Sequence, residues 1–252
     1  MLADLVHDCK VALAFLTRLR VARVPMADDG NLGASVVMFP LVGALVGLLG
    51  AAAYALAFRL GVPPWPAAAV ALAATIWLTG ALHEDGLADV ADGFGGGRTL
   101  EDKLRIMRDP RIGSYGALAL LLALLARAGA LAALAEPWTV AAAMIVAGAV
   151  SRAALAPVMA ILPNARSDGL AAGAGRPHGL RAGAAVLVAA LIAVALLGEV
   201  AGAALLAGAG AAFAVAWLAR RQIGGQTGDV LGAVQQLAEI GALLGTVAAL
   251  RP

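Results

Sequence analysis

Seven times along its 252 residues the chain runs for about 20 residues with scarcely a charge, the length an α-helix needs to cross a bilayer. The runs are 33–58, 64–82, 115–135, 138–162, 182–198, 200–219 and 230–250. In lipid every backbone polar group must find its partner within the protein, so repeated runs of this kind restrict the fold to a bundle of helices. Composition agrees: 62% of residues are hydrophobic and 13% charged, against about 45–50% and about 25% in soluble domains. Alanine and 31 glycines fill the apolar runs, as suits helices whose backbones approach through small side chains. The fold class expected is all-α, a polytopic integral membrane helical bundle of about seven transmembrane helices. Residues 5–21 mix charges with apolar residues and read as an N-terminal interfacial helix. Residues 1–252 form one membrane domain, with 82–114 an acidic and arginine-rich segment inside it.

The remaining bulk properties mostly exclude. A net charge of +2 does not point to nucleic acid, and Cys9, alone, allows no intrachain disulfide. His7, Asp8, Lys10, Arg18 and Arg20 break up any cleavable signal-peptide core. The basic residues are distributed very unevenly. With the N-terminus and the 82–114 loop on one side, that side carries fourteen Lys and Arg: Lys10, Arg18, Arg20 and Arg23 before the first run, and ten in loops 82–114, 164–181 and 220–229. The opposite side carries two, Arg59 and Arg251, while Arg127 and Arg152 lie within runs. The positive-inside rule makes the first side cytoplasmic and gathers three polar loops on it.

Four carboxylates, Glu84, Asp85, Asp89 and Asp92, fall within LHEDGLADVADGFGGG directly after the second run. Carboxylates at a membrane edge are costly unless a cation or substrate neutralises them. At about 100° per residue Asp85, Asp89 and Asp92 share an arc of roughly 60° on one helix face. That face suits Mg²⁺, which is usually held by one or two carboxylates plus substrate phosphates. An acidic first turn complementing a helix dipole would account for one or two of the four. In EDKLRIMRDPRIGSYG, Arg105, Arg108 and Arg111 carry forks that fit phosphate oxygens; alone the segment reads as a basic anchor for the next run, but beside the acidic group phosphate contact is the favoured reading. In RRQIGGQTGDVLG, Arg220, Gln226 and Asp229 are candidate substrate contacts; alternatively Asp229 only caps the last helix. His83 adjoins the acidic group as a ligand contact or as an ordinary interfacial polar residue. Arg127, Arg152, Gln235, Gln236 and Glu239 lie within runs and must face the bundle interior. A carboxylate site beside arginines is the equipment of phosphoryl transfer.

FLTRLRV (15–21), FPLVG (39–43), LHEDGLADVADGFGG (82–96), IMRDPRIGSYGALAL (106–120) and GGQTGDVLGAVQQLAE (224–239) resemble, in order and over nearly the whole chain, the adenosylcobinamide-GDP ribazoletransferase family, the membrane-bound cobalamin (5′-phosphate) synthases. That family commonly has Leu where this chain has Glu84, so Glu84 is the least secure of the four carboxylates as a metal ligand. The resemblance implies a Mg²⁺-dependent inner-membrane enzyme that joins adenosylcobinamide-GDP to α-ribazole, or to α-ribazole 5′-phosphate, and releases GMP. Its partners would be the bilayer and other enzymes of nucleotide-loop assembly. On that reading Asp85, Asp89, Asp92 and Glu84 are the metal candidates. Arg105, Arg108, Arg111, Arg220, Gln226 and Asp229 contact substrate, and Asp89, Asp92 or Asp109 takes part in catalysis. The rival readings are a cation-coupled membrane transporter using Arg127, Arg152 and Glu239, and a non-catalytic scaffold that recruits soluble enzymes through its basic loops.

Overall fold

The computed structural model describes residues 2–19, 31–167 and 173–250, and among them there are helices but no strand. Arg20, Arg23 and Arg251 of the charge argument lie outside the described residues. Proline opens several helices because its missing N–H costs nothing in a first turn. Pro40 sits in the first turn of α3 (Phe39–Arg59), Pro64 begins α4 (Pro64–Thr79) and Pro137 begins α8 (Pro137–Ala153). Ahead of α3 come α1 (Leu2–Leu16) and the short α2 (Asn31–Ser35). After α4 follow α5 (Leu82–Gly96), α6 (Leu100–Ile106) and α7 (Ser114–Leu134). The chain closes with α9 (Leu155–Ile161), α10 (Gly179–Leu197), α11 (Ala201–Ile223) and α12 (Gly228–Leu250).

Five stretches are long and apolar enough to span a bilayer: Leu32–Arg59, Ser114–Leu134, Pro137–Ile161, Gly179–Ile223 and Gly228–Leu250. The expected seven map onto these with two adjustments. The fifth and sixth runs are the two arms of the 45-residue stretch Gly179–Ile223. It is interrupted at Gly198, whose φ of +55° ends α10, and α11 then folds back so that Leu205 and Ala212 face a cleft shared with Val186 and Ala189. The second run stops at Thr79 and qualifies only together with α5, from which it is bent by 92°. Gly80 (φ +70°) and Ala81 (φ +59°) make that corner, both in the left-handed region. We therefore place α5 outside the spans, lying across one end of the bundle.

Two seams without side chains hold the bundle together. A methyl group on Gly43 or Gly47 of α3 would collide with the backbone of Gly148 or Met144 in α8. Likewise Gly241 and Gly245 of α12 lie directly on Ala207 and Ala203 of α11. These are the close approaches that small residues four apart permit between membrane helices.

The polar loops meet at one end, as the charge distribution predicted. There the Arg18 N–H donates to the Leu78 carbonyl (2.8 Å), Gly33 to Ala174 (2.9 Å) and Ala165 to Gln226 (2.8 Å), and Lys103 reaches Gln222. Near the other end Tyr54 Oη donates to the Ala135 carbonyl at 2.8 Å.

Candidate active site

Helix α5 carries two groups of charge on two faces. Asp85, Asp89 and Asp92 share one face, with Asp85 exposed and the other two half-buried. Glu84 and His83 point into the bundle and are buried.

The aspartate group gains a fourth carboxylate from α12. Gly86 and Gly232 let the two helices touch: a Cβ on Gly86 would lie 2.8 Å from the Asp229 carbonyl oxygen, and one on Gly232 would lie 3.1 Å from the Gly86 Cα. Asp229 thereby joins the aspartates. Partial burial, and then the charges of Asp85, Asp229 and Asp92, push the Asp89 carboxyl up to about 7, against the opposing pull of Arg166. Arg166 Nη2 donates to Asp229 Oδ2 at 2.6 Å. The alternative role of Asp229 as a cap falls to Thr227 instead, whose Oγ1 accepts from the Val230 N–H at 3.2 Å. Asp92 is the most constrained of the four. Its oxygens accept from the backbone N–H groups of Gly113 (2.7 Å) and Gly116 (2.8 Å), so it closes the N-terminus of α7 and ties the α6–α7 loop to α5.

Glu84 is not part of this group, which corrects its placement among the metal candidates. Its Oε1 accepts from Arg127 Nη1 (3.1 Å) and Gln236 Nε2 (3.1 Å) inside the bundle. Arg127 Nη1 also faces Glu239 Oε1 at 3.4 Å, and Arg152 Nη1 donates to Glu239 Oε2 at 2.6 Å. Two arginines and two glutamates from α5, α7, α8 and α12 thus make a charge-balanced set, extended by Gln235 and Ser151, in which Glu84 Oε2, Arg127 Nε and Nη2 and Arg152 Nε keep no hydrogen-bond partner. The rotation of a helix explains the split, because Glu84 sits about 80° from the nearest edge of the aspartate arc.

The other candidates are more dispersed. Arg111 grips Asp109 with two bonds (2.9 and 2.7 Å), holding that carboxyl down at about 2, which makes Asp109 a poor proton acceptor. Arg105 pairs with Asp102 at 3.1 Å, Arg108 is exposed, and Arg220 donates to the Gly224 carbonyl at 3.0 Å. These arginines border the same end of the bundle, but the one that Asp89 senses is Arg166. Gln226 is buried and stitches its loop to residues 162–165: its backbone N–H donates to Pro163 (2.8 Å) and its Nε2 to Asn164 (3.3 Å). A substrate contact through its side chain does not follow from this position. Arg166 escaped the sequence reading because its partner lies 63 residues away; the only signal was its loop, already assigned to the charged side.

The donor set consists of carboxylate oxygens, which suits a hard divalent cation. Among the described residues no three His, Cys, Asp or Glu side chains could by themselves hold one ion.

Residues 8–247 match the family described as cobalamin-5-phosphate synthase. The chain is similar to adenosylcobinamide-GDP ribazoletransferases of Bradyrhizobium diazoefficiens (48% identical, covering 96% of this chain and 93% of the relative) and Mesorhizobium japonicum (47%, 96% and 93%). It is also similar to that of Ralstonia nicotianae (45%, 95% and 95%). No solved structure matches it.

Proposed function

The chain belongs to the cobalamin-5-phosphate synthase family, and from that premise we propose that it joins adenosylcobinamide-GDP to α-ribazole or α-ribazole 5′-phosphate and releases GMP. The observation that carries the mechanism is the meeting of Asp85, Asp89 and Asp92 with Asp229 at the end of the bundle where the basic loops gather. Two of Asp85, Asp89 and Asp229, with Asp92 bracing α7 beside them, would hold Mg²⁺, with substrate phosphate and water completing its shell. When bound, the ion supplies neutralisation of the diphosphate and of the departing phosphate. A ribose hydroxyl oxygen bonds to the phosphorus carried by the corrinoid's aminopropanol arm. The anhydride bond breaks, and GMP leaves with the bonding electron pair. A ribose hydroxyl that both acceptor forms possess gives the same reaction with either. Its proton passes to a carboxylate of the cluster. Asp89 suits that role better than Asp109, which Arg111 keeps ionised. Arg111, two residues before the anchored Gly113, and Arg105, Arg108 and Arg220 around the same end supply forks for the outer oxygens of the guanosine diphosphate tail.

We also infer that this end faces the cytoplasm of a bacterial inner membrane, since fourteen of the eighteen Lys and Arg residues fall, by sequence, in the N-terminal segment and the loops 82–114, 164–181 and 220–229. A transport role is the weaker reading, because Arg127, Arg152, Glu84 and Glu239 close on one another inside the bundle. The test is Asp89→Ala, reconstituted in liposomes with both substrates and Mg²⁺. GMP and cobalamin release should vanish while membrane insertion is unchanged. Near-normal turnover by this variant would remove the cluster from the mechanism.

A further inference from the structure

Next to the carboxylates lies a cavity of 140 Å³ that the mechanism above leaves unused. Phe15, Phe39, Leu155 and Met159 make its apolar walls, and the two phenylalanine rings lie near-parallel, 6.1 Å apart and 17° from coplanar. His83 also lines it; the residue is 3% exposed, and its Nδ1 has no hydrogen-bond partner. Asp85 and Asp229 complete the lining, so one boundary of an apolar chamber is the carboxylate cluster itself.

We propose that this cavity seats the aromatic base of the acceptor nucleoside, with the ribose directed at Asp85 and Asp229. The inference rests on the ribazoletransferase reading and adds to it where the acceptor sits. Size excludes the corrin macrocycle but admits a fused two-ring base. Chemistry separates the two bases present in the reaction. Guanine presents a carbonyl, an amino group and a ring N–H, each of which is costly to bury without a partner. The base of α-ribazole is a dimethylated benzimidazole whose polar capacity is one unsubstituted ring nitrogen. An apolar chamber with one orphaned imidazole nitrogen matches that pattern: the methyl groups meet Leu155 and Met159, and His83 supplies the one polar contact. Placing the base inward brings its ribose to the carboxylates, where the hydroxyl proton must go.

The experiment uses full-length protein in micelles with Mg²⁺, measuring KM for α-ribazole and, separately, for adenosylcobinamide-GDP. Leu155→Trp, which fills the chamber from α9, should raise the α-ribazole KM about tenfold or more, the scale at which pocket shape discriminates, and leave the corrinoid KM unchanged. His83→Phe, which keeps the ring but removes the nitrogen, should act in the same direction. Should the Trp variant not fold, Leu155→Ala takes its place. Its enlarged chamber should accept a naphthimidazole riboside that the unaltered protein turns over poorly. An unchanged α-ribazole KM in Leu155→Trp, a rise confined to the corrinoid substrate, or no gain by Leu155→Ala with the bulkier riboside would overturn the assignment. The parent reading fails differently, through an unaltered protein that releases no GMP from the two substrates.

Discussion

Replacing Glu239 by Gln removes one of the two negative charges in the interior set while nearly preserving volume. In the native arrangement Arg152 relies on Glu239 alone (2.6 Å), whereas Arg127 has both Glu84 (3.1 Å) and Glu239 (3.4 Å). The substitution leaves two guanidinium groups sharing Glu84, and Arg152 keeps only the hydroxyl of Ser151 at 3.1 Å. The side chains of both arginines are at most 4% exposed, so bulk water does not replace the missing charge. Removing one partner of a buried pair costs about 3–5 kcal/mol. For a chain of this size each kcal/mol lowers Tm by roughly 2–4 °C, giving a fall of about 6–20 °C. The unfolded chain in a micelle still finds polar partners, which favours the lower half of that range. The assay is thermal unfolding in micelles followed by far-UV circular dichroism. Adding Arg152→Gln to Glu239→Gln restores neutrality and should recover about 1–2 kcal/mol relative to additivity. A fall of less than about 2 °C in the single variant, or strict additivity in the double one, would refute the claim that the four charges act as one set.

Gly43→Val should abolish the folded bundle, seen as loss of a monodisperse peak on gel filtration, because its Cβ would strike the Gly148 carbonyl. Gly183→Ala, where no atom lies within 4 Å of the added methyl, should instead raise helix stability by up to about 1 kcal/mol. Asp92→Ala strands the N–H groups of Gly113 and Gly116. Their amide hydrogen exchange should quicken while that of Gly43 stays slow, and GMP release should fall. Chelation of divalent cations should stop GMP release, and Mg²⁺ but not Na⁺ should restore it; turnover that persists in excess chelator would rule out the proposed cation.

The apolar runs declared the helices, and the charge distribution declared which loops would meet, because both follow from transfer energies that depend on composition. Three features needed the third dimension. The 92° corner at Gly80 and Ala81 was invisible because alanine is a poor advertisement for a left-handed backbone. The spacing from Gly43 to Gly47 marks a contact surface, but nothing in it names Gly148 and Met144 as what lies opposite. Helical phase separated Glu84 from the three aspartates, while its counter-ion Arg127 lies 43 residues away. The same remoteness hid Arg166, so the site was legible as a set of carboxylates and illegible as a balance of charge. Gln226 has a structural use that its glycine-rich loop did not announce: it fastens two loops.

The glycine seams have a mechanical consequence. Where backbone rests on backbone there is no rotamer to change, so α3 with α8 and α11 with α12 behave as stiff plates. Between α8–α9 and α10–α11 the 580 Å³ cleft is walled by residues such as Leu206 and Phe213, contacts that can slide without breaking a hydrogen bond. A bilayer that thickens or thins should therefore shift the walls of that cleft before it shifts either seam. The carboxylates should follow α12, on which α5 is set glycine against glycine.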